Sequence, residues 1–257
     1  MLTFADVIIG SESDATNYTS PSVDISYSYE GVEGVTVTMN SGSVMVYSTD
    51  DGFNAAGGAD SSGNSNPGGW GQGGWGGGSS SSSNDYKLTF NGGYTYVNAA
   101  GDGLDSNGDM FINGGYIFVS QTGGGNGPLD CGDNNNSINY TGGVLVAGGS
   151  SDMFETPSSY SFLTSSSLAA GSTVTFTDSN GTVLATMTFA NSSSKMVMSA
   201  PENSVTCYTG GTLSGTTYFP SSTSDANRSV VCGYGGTISG GTTVSASSGG
   251  GGGGWNW

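Results

Sequence analysis

Acidic and amide side chains recur at matching positions in four short segments of this chain. The segments read YEGVEG from Tyr29, DDGFNA from Asp50, GDGLDS from Gly101 and NGPLDC from Asn126. Aligned in register, they predict two columns of side-chain oxygen atoms: Glu30, Asp51 and Asp102 in the first, and Glu33, Asn54, Asp105 and Asp130 in the second. Carboxylate and amide oxygens are the ligands that calcium prefers. The predicted chemistry is therefore calcium binding.

Stacking these segments would bring like charges close together. Strands in a sheet lie about 4.8 Å apart, and two carboxylates at that distance repel by several kcal/mol at an intermediate dielectric. Either some groups are protonated or a cation lies between them, and a calcium ion would also link adjacent segments. Gly127 interrupts the first column, and the flanking groups that could complete a ligand shell are Asp50, Asn107, Asp109 and Asp133.

A purely structural role is the alternative for these residues. Asp-Gly and Asn-Gly are common turn sequences, and stacked Asn or Asp side chains form hydrogen-bonded ladders. The charge balance favours the cation: the chain has 20 acidic residues, 3 basic residues and no histidine, and its net charge is −17. That charge excludes nucleic acid and anionic membranes as partners. The lack of histidine excludes histidine-ligated zinc catalysis and Ser-His-Asp chemistry.

The elements that would position these side chains also repeat. A strand, a glycine turn and a second strand occur four times, as VTVTMNSGSVMVY, YKLTFNGGYTYV, DMFINGGYIFV and SINYTGGVLVA. Aligned on the last glycine of each turn, they superimpose Gly42, Gly93, Gly115 and Gly143. The first interval contains a Gly/Ser/Trp-rich insertion at about 57–83, and without it the repeat is roughly 22 residues, a length typical of solenoids.

Apolar residues alternate in the first strand of each repeat, as expected of half-buried strands. The apolar pairs are Val37 and Met39, Leu88 and Phe90, Met110 and Ile112, and Ile138 and Tyr140. One repeat cannot bury its own apolar face, so successive repeats must stack. Frequent glycine and β-branched residues argue against helix. We therefore predict an all-β fold, a right-handed parallel β-helix over residues 1–153.

Residues 154–257 predict a small C-terminal β-rich unit followed by a Gly-rich tail. Its strand-like runs are Thr173–Phe176, Val183–Phe189, Met196–Ala200 and Ser204–Tyr208, with a hairpin turn at Asp178–Gly181. Cys207 and Cys232 precede similar stretches and are candidates to lie on neighbouring strands and pair, whereas Cys131 fits the core as a small hydrophobe. Neither a membrane-spanning run nor a signal peptide is visible in the sequence.

The order of these motifs resembles a bacterial carbohydrate-binding domain family, formerly a domain of unknown function. That family is similar in fold to the parallel β-helices of polysaccharide lyase family nine. The resemblance covers roughly Val23–Met153, through YEGVEG, DDGFNA, GDGLDSNGD, GPLDCGD and GGVLVAGGSSDM, and continues more weakly into the C-terminal portion. It implies an extracellular or cell-surface protein with bound calcium and affinity for cellulose- or pectin-like polysaccharide. It also implies the seven residues of the two columns as calcium ligands.

Aromatic residues are the candidate sugar contacts. Trp70 and Trp75 lie in the insertion, and Tyr94 and Tyr116 lie in second strands, where alternation sends some side chains outward. The alternative for the tyrosines is a place in the core.

Two other functions compete with carbohydrate binding. A polysaccharide lyase needs a base and a cation at the reacting centre, but the basic residues are Lys87, Lys195 and Arg228, away from the acidic turns. Hydrolysis by paired carboxylates is open in principle, but stacked acidic turns suit metal binding better, so we predict that the chain is not an enzyme. The other alternative is a self-assembling surface, fibre or adhesin protein, in which open β-helix ends stack into a homo-oligomer.

Overall fold

The computed structural model describes residues 6–56, 86–132, 136–220 and 231–247. These residues form short β-strands and a 3-10 turn at Glu12–Asp14. Among them, no helix is long and apolar enough to cross a membrane. The predicted all-β class is confirmed. The insertion at 57–83, and with it Trp70 and Trp75, lies outside the described residues, as do Asp133 and Arg228.

The chain forms three parallel sheets, and consecutive strands belong to the first, the second and then the third sheet in each repeat. The first sheet contains β1 (Val7–Ile9), β4 (Thr36–Met39), β7 (Lys87–Phe90), β10 (Asp109–Ile112) and β13 (Ile138–Tyr140). The second sheet contains β2 (Ser22–Ser28), β5 (Ser43–Ser48), β8 (Tyr94–Ala99), β11 (Tyr116–Gln121) and β14 (Val144–Gly149). The third sheet contains β3 (Val32–Glu33), β6 (Phe53–Ala55), β9 (Leu104–Ser106) and β12 (Leu129–Cys131).

The predicted alignment of the repeats is the register of the first sheet. Val37 pairs with Leu88, Leu88 with Met110, and Met110 with Ile138. The second apolar column pairs in the same way from Met39 to Tyr140. The turn glycines of all four repeats have positive φ, which residues with a side chain rarely adopt. The repeat alignment is therefore confirmed.

The apolar columns of the three parallel sheets meet in one core. Phe53, Leu104 and Val97 are fully buried there, together with the apolar column of the first sheet. Burying a side chain of this size contributes about 1.5–3 kcal/mol relative to exposure. Because each strand adds one side chain to each column, the core grows with every repeat and holds the turns in register.

A ladder of side-chain amides runs along the turns between the first and second sheets. Asn91 Nδ2 donates to Asn40 Oδ1 at 2.9 Å, and Asn113 Nδ2 donates to Asn91 Oδ1 at 2.9 Å. Thr141 Oγ1 then donates to Asn113 Oδ1 at 2.8 Å. The sequence analysis considered such a hydrogen-bonded ladder as the alternative role of the acidic columns. The structure forms this ladder at the turn asparagines instead.

The C-terminal portion is also built from strands. β15 (Phe162–Thr164) and β18 (Lys195–Ser199) extend the second sheet, with β18 antiparallel to both β14 and β15. A fourth sheet contains, in spatial order, β21 (Thr217–Tyr218), β22 (Cys232–Tyr234), β17 (Val183–Thr188), β16 (Thr173–Thr177), β19 (Thr206–Thr209) and β24 (Thr242–Val244). A fifth sheet pairs β20 (Thr212–Ser214) with β23 (Thr237–Ser239). The hairpin between β16 and β17 closes at Asp178–Gly181, as predicted.

A second core joins the second sheet to the fourth. Tyr96 and Phe118, on the outward side of the second sheet, are fully buried with Phe176, Met187 and Phe189. The second sheet and this core both cross the boundary that the sequence predicts after residue 153. The division of the chain there stays a prediction.

The suggested pairing of two cysteines is wrong. Cys207 lies in β19 and Cys232 in β22, and β16 and β17 separate those strands in the fourth sheet. Both are buried free thiols. Cys131 is also a free thiol and packs, half-buried, against the core of the parallel sheets.

Candidate functional site

The third sheet carries the second acidic column. Glu33 pairs with Asn54, Asn54 with Asp105, and Asp105 with Asp130. The apolar residue that precedes each of these four is buried in the core. Because successive side chains of a strand point to opposite faces, the four polar side chains lie on the outward face of the sheet. The predicted register of this column is confirmed.

The first acidic column lies in the turns that lead into the third sheet. Gly31 N donates to Asp51 O at 2.9 Å, and Gly52 N donates to Asp102 O at 2.9 Å, so the turns stack in the predicted order. Asp51 Oδ1 accepts the backbone N–H of Asp102 at 2.6 Å. Asp102 Oδ1 accepts that of Gly127 at 2.5 Å. Each of these carboxylates therefore also ties one turn to the next.

The two columns meet in one group of side chains, which we call the carboxylate cluster. Its members are Glu30, Glu33, Asp50, Asp51, Asn54, Asp102, Asp105 and Asp130. The columns are joined by a hydrogen bond from Asn54 Nδ2 to Asp51 Oδ2 at 3.2 Å. The structure thus places the nominated calcium ligands in neighbouring turns and strands.

Burial and mutual repulsion shift the pKa of two members of the cluster. Burial first, and then the charges of Asp51, Asp102, Asp130 and Glu30, together raise the pKa of Asp105 from 3.8 to about 9. Burial also raises the pKa of Asp102 to about 7 against the opposing effect of the Gly127 hydrogen bond. The cluster is therefore electrostatically strained when all of its carboxyl groups are ionised.

The donor chemistry of the cluster fits calcium, since its side chains offer carboxylate oxygens and the amide oxygen of Asn54 as ligands. In the described part of the chain, however, no three Asp, Glu or Cys side chains form a group that could hold a metal ion. The side chains share one face without converging on one point. The flanking Asp109 is engaged elsewhere, because its Oδ1 accepts the backbone N–H of Ser137 at 2.9 Å.

Tyr94 does not present a ring to a sugar. It is 1% exposed, stacks on Phe219 with ring centroids 4.4 Å apart, and hydrogen-bonds Cys232. The Tyr94 side chain points outward from β8 and is buried in the second core, because the fourth sheet covers this face of the second sheet. The proposal of Tyr94 as a sugar contact is corrected for that reason.

Tyr116 is half-buried in an aromatic group. Its ring lies 4.8 Å from that of Tyr234 and 5.6 Å from that of Tyr18. Burial, followed by those two neighbours, raises its pKa to about 12. Its ring contacts link the N-terminal loop to the fourth sheet, which gives Tyr116 a packing role.

Two exposed tyrosines escaped the sequence analysis. Tyr27 is 80% exposed and Tyr29 is 49% exposed. Tyr27 follows Val23 and Ile25 at the spacing of a buried face, so alternation places it in the core. The signal against burial is the small size of the residues at this layer in the next two repeats, Ser48 and Ala99.

The described basic residues lie against aromatic rings. Lys87 Nζ lies 5.6 Å from the ring centre of Phe111, and Lys195 Nζ lies 4.4 Å from that of Phe154. Lys87 belongs to the first sheet and Lys195 to β18, whereas the carboxylate cluster belongs to the third sheet and its turns.

The chain matches no family model, no curated protein and no solved structure. The resemblance to a carbohydrate-binding family accordingly stays a prediction, and the function has to be argued from the site.

Proposed function

We propose that this chain is an extracellular, calcium-binding protein that recognises polysaccharide, and that its three parallel sheets form a right-handed β-helix. The repeat register supports the β-helix, since consecutive strands enter three sheets in turn and each sheet stacks corresponding residues. A β-helix presents long, flat and repetitive faces, which suit a polymer of repeating units.

The carboxylate cluster is the observation that carries the calcium proposal. The raised pKa values of Asp102 and Asp105 mean that full ionisation is costly in the folded chain. A divalent ion among the side-chain oxygens supplies positive charge that offsets this cost and links adjacent repeats. Because the oxygens of the described side chains do not converge on one point, calcium binding requires side-chain rotations that bring them together.

The polysaccharide proposal is supported by the same cluster. A chain with a net charge of −17 repels an acidic polymer. Calcium held at the outward face of the third sheet can coordinate uronate or hydroxyl oxygens of a sugar as additional ligands. Lys87 in the first sheet and Lys195 in β18 lie against aromatic rings away from the cluster, which favours binding over elimination chemistry at the cluster.

Calorimetric titration with calcium tests the proposal, followed by binding of glycans in calcium and in EDTA. We expect saturable calcium binding, a higher melting temperature with calcium, and glycan binding that EDTA abolishes. The variant Asp105→Asn removes a cluster carboxylate, and Glu12→Gln removes an exposed charge outside the cluster as the matched control. Calcium binding that is equal in both variants, or absent from the wild type, contradicts the proposal.

The assembly alternative receives less support. The last strand of the stacked repeats in the second sheet, β14, does not end in an open edge, because β18 pairs with it and β15 lies outermost beyond β18. Size-exclusion chromatography with and without EDTA distinguishes the two cases, because a fibre elutes in the void volume and a binding module does not.

A further inference from the structure

We propose that Tyr27 and Tyr29 form a platform on which pyranose rings of the polysaccharide stack, beside the carboxylate cluster. This inference rests on the proposed function and deepens it by naming the surface that touches sugar. The two residues are among the most exposed large side chains of the described chain. Sugar rings present C–H faces that pack against aromatic faces.

A β-bulge places Tyr27 outside the core. Ile25 pairs with Val46 and Ser28 pairs with Ser48, so two residues of β2 lie opposite the single residue Tyr47 of β5. A bulge of this kind shifts the alternation of side chains by one position. Without it, Tyr27 would follow Val23 and Ile25 into the core.

The core explains why the bulge is needed. The inward position at this layer is occupied by Ser48 in β5 and by Ala99 in β8, and Ala99 is fully buried. A tyrosine stacked on Ser48 would be much larger than its nearest neighbours in this layer, whereas the one large side chain there, the fully buried Gln121, lies two strands further along in β11. The bulge instead brings Ser28 into register with Ser48 and leaves the Tyr27 ring in solvent. The sequence thus retains a large aromatic residue at a position where it contributes little to packing.

The platform adjoins the carboxylate cluster. Tyr29 immediately precedes Glu30, and its carbonyl oxygen accepts the backbone N–H of Asp50 at 3.0 Å. Tyr27 is three residues from Glu30, so their Cα atoms are within about 10 Å of each other. A polymer that contacts the cluster through its oxygens can therefore lay a neighbouring ring on the tyrosines.

Charge favours a sugar over a second copy of the chain at this edge. β2 is the outermost strand of the second sheet among the described residues. Its neighbourhood carries Asp24, Glu30 and Glu33, so two copies meeting edge to edge would bring acidic groups together. A neutral sugar carries no such charge, and an acidic sugar is bridged by calcium.

Affinity measurements on Tyr27→Ala, Tyr29→Ala and the double variant test the platform, with Tyr218→Ala as the control. Tyr218 is 53% exposed but lies in the fourth sheet. The probes are a neutral β-linked glucan oligomer and polygalacturonate, each with calcium. For each probe that the wild type binds, we expect the double variant to lose about tenfold in affinity and Tyr218→Ala to lose none.

Calcium titration and melting temperature separate this inference from the proposed function. The expected result is weaker glycan binding in the double variant with calcium affinity and melting temperature unchanged, and recovery of binding in Tyr27→Phe. Wild-type glycan affinity in the double variant overturns the platform and leaves the proposed function standing. If the wild type binds calcium but neither glycan, the proposed function itself fails. A wild-type dimer that Tyr27→Ala dissociates assigns the surface to a second copy and also overturns the platform.

Discussion

Replacing Asp105 by Asn is expected to stabilise the calcium-free protein at neutral pH. Asn54 already occupies the adjacent position in the same column, so the column accepts an amide. The pKa of Asp105 rises from 3.8 in the unfolded chain to about 9 in the folded chain. Each pH unit between 3.8 and 7 then costs the folded state about 1.36 kcal/mol, which sums to roughly 4 kcal/mol at pH 7.

That value is an upper bound, since water and side-chain movement relax a charge at an outward face. We expect Asp105→Asn to gain about 2 kcal/mol at pH 7 in EDTA, which corresponds to a rise in melting temperature of about 4–8 °C. The folded state binds the Asp105 proton more tightly than the unfolded state does. Asp105 therefore costs the folded wild type no stability at low pH and costs it more as the pH rises above 3.8. The advantage of the variant should therefore be close to zero near pH 4 and grow until about pH 9.

Thermal unfolding of both proteins from pH 4 to pH 9 provides the measurement. Saturating calcium should reverse the order, because the wild type keeps a ligand that the variant lacks, and a ligand present at 100 times its Kd stabilises by about 2.7 kcal/mol. Glu12→Gln controls for the removal of one charge from a strongly acidic chain. A variant that is less stable than the wild type at pH 8 in EDTA, or an advantage that does not change with pH, would refute the reasoning.

Two further predictions concern the repeats. Gly93→Ala should destabilise by more than about 1 kcal/mol, because φ is +75° and a Cβ would lie 2.6 Å from Met39 Cε; Gly124→Ala, which meets nothing within 4 Å, is the control, and equal melting temperatures would contradict the prediction. Asn91→Ala should cost about 1–2 kcal/mol in urea unfolding, because it breaks both ladder bonds of Asn91. Unchanged stability would show that the ladder contributes nothing.

The acidic columns were predictable because two local signals repeat together. Alternation of apolar and polar residues identifies the strand face, and a glycine with positive φ marks the same turn in each repeat. Once Gly93 and Gly115 are aligned, the pairing of Leu88 with Met110 follows, whereas the pairing of Asp105 with Asp130 follows from aligning the segments GDGLDS and NGPLDC. The register in the structure agrees with that alignment.

The exposure of the tyrosines was not predictable by the same route. Alternation correctly placed Tyr94 on the outward side of its strand, but an outward side chain is exposed only if no other element covers it. The fourth sheet covers Tyr94, and the residues that do so, such as Phe219, are more than a hundred positions away. Tyr27 is the opposite case, since its alternation with Val23 and Ile25 indicates the core, but one extra residue in β2 changes its face.

The sequence by itself determined the all-β class, the order of the stacked repeats and the meeting of acidic side chains in columns. These features depend on contacts between consecutive repeats, which a periodic pattern encodes directly. The tertiary structure decided which face of the second sheet is covered, that Cys207 and Cys232 are apart, and that the carboxyl groups of Asp102 and Asp105 are buried enough for their pKa values to rise. Those features depend on non-periodic segments packing against the repeats, and burial is a property of what the whole chain places around a side chain.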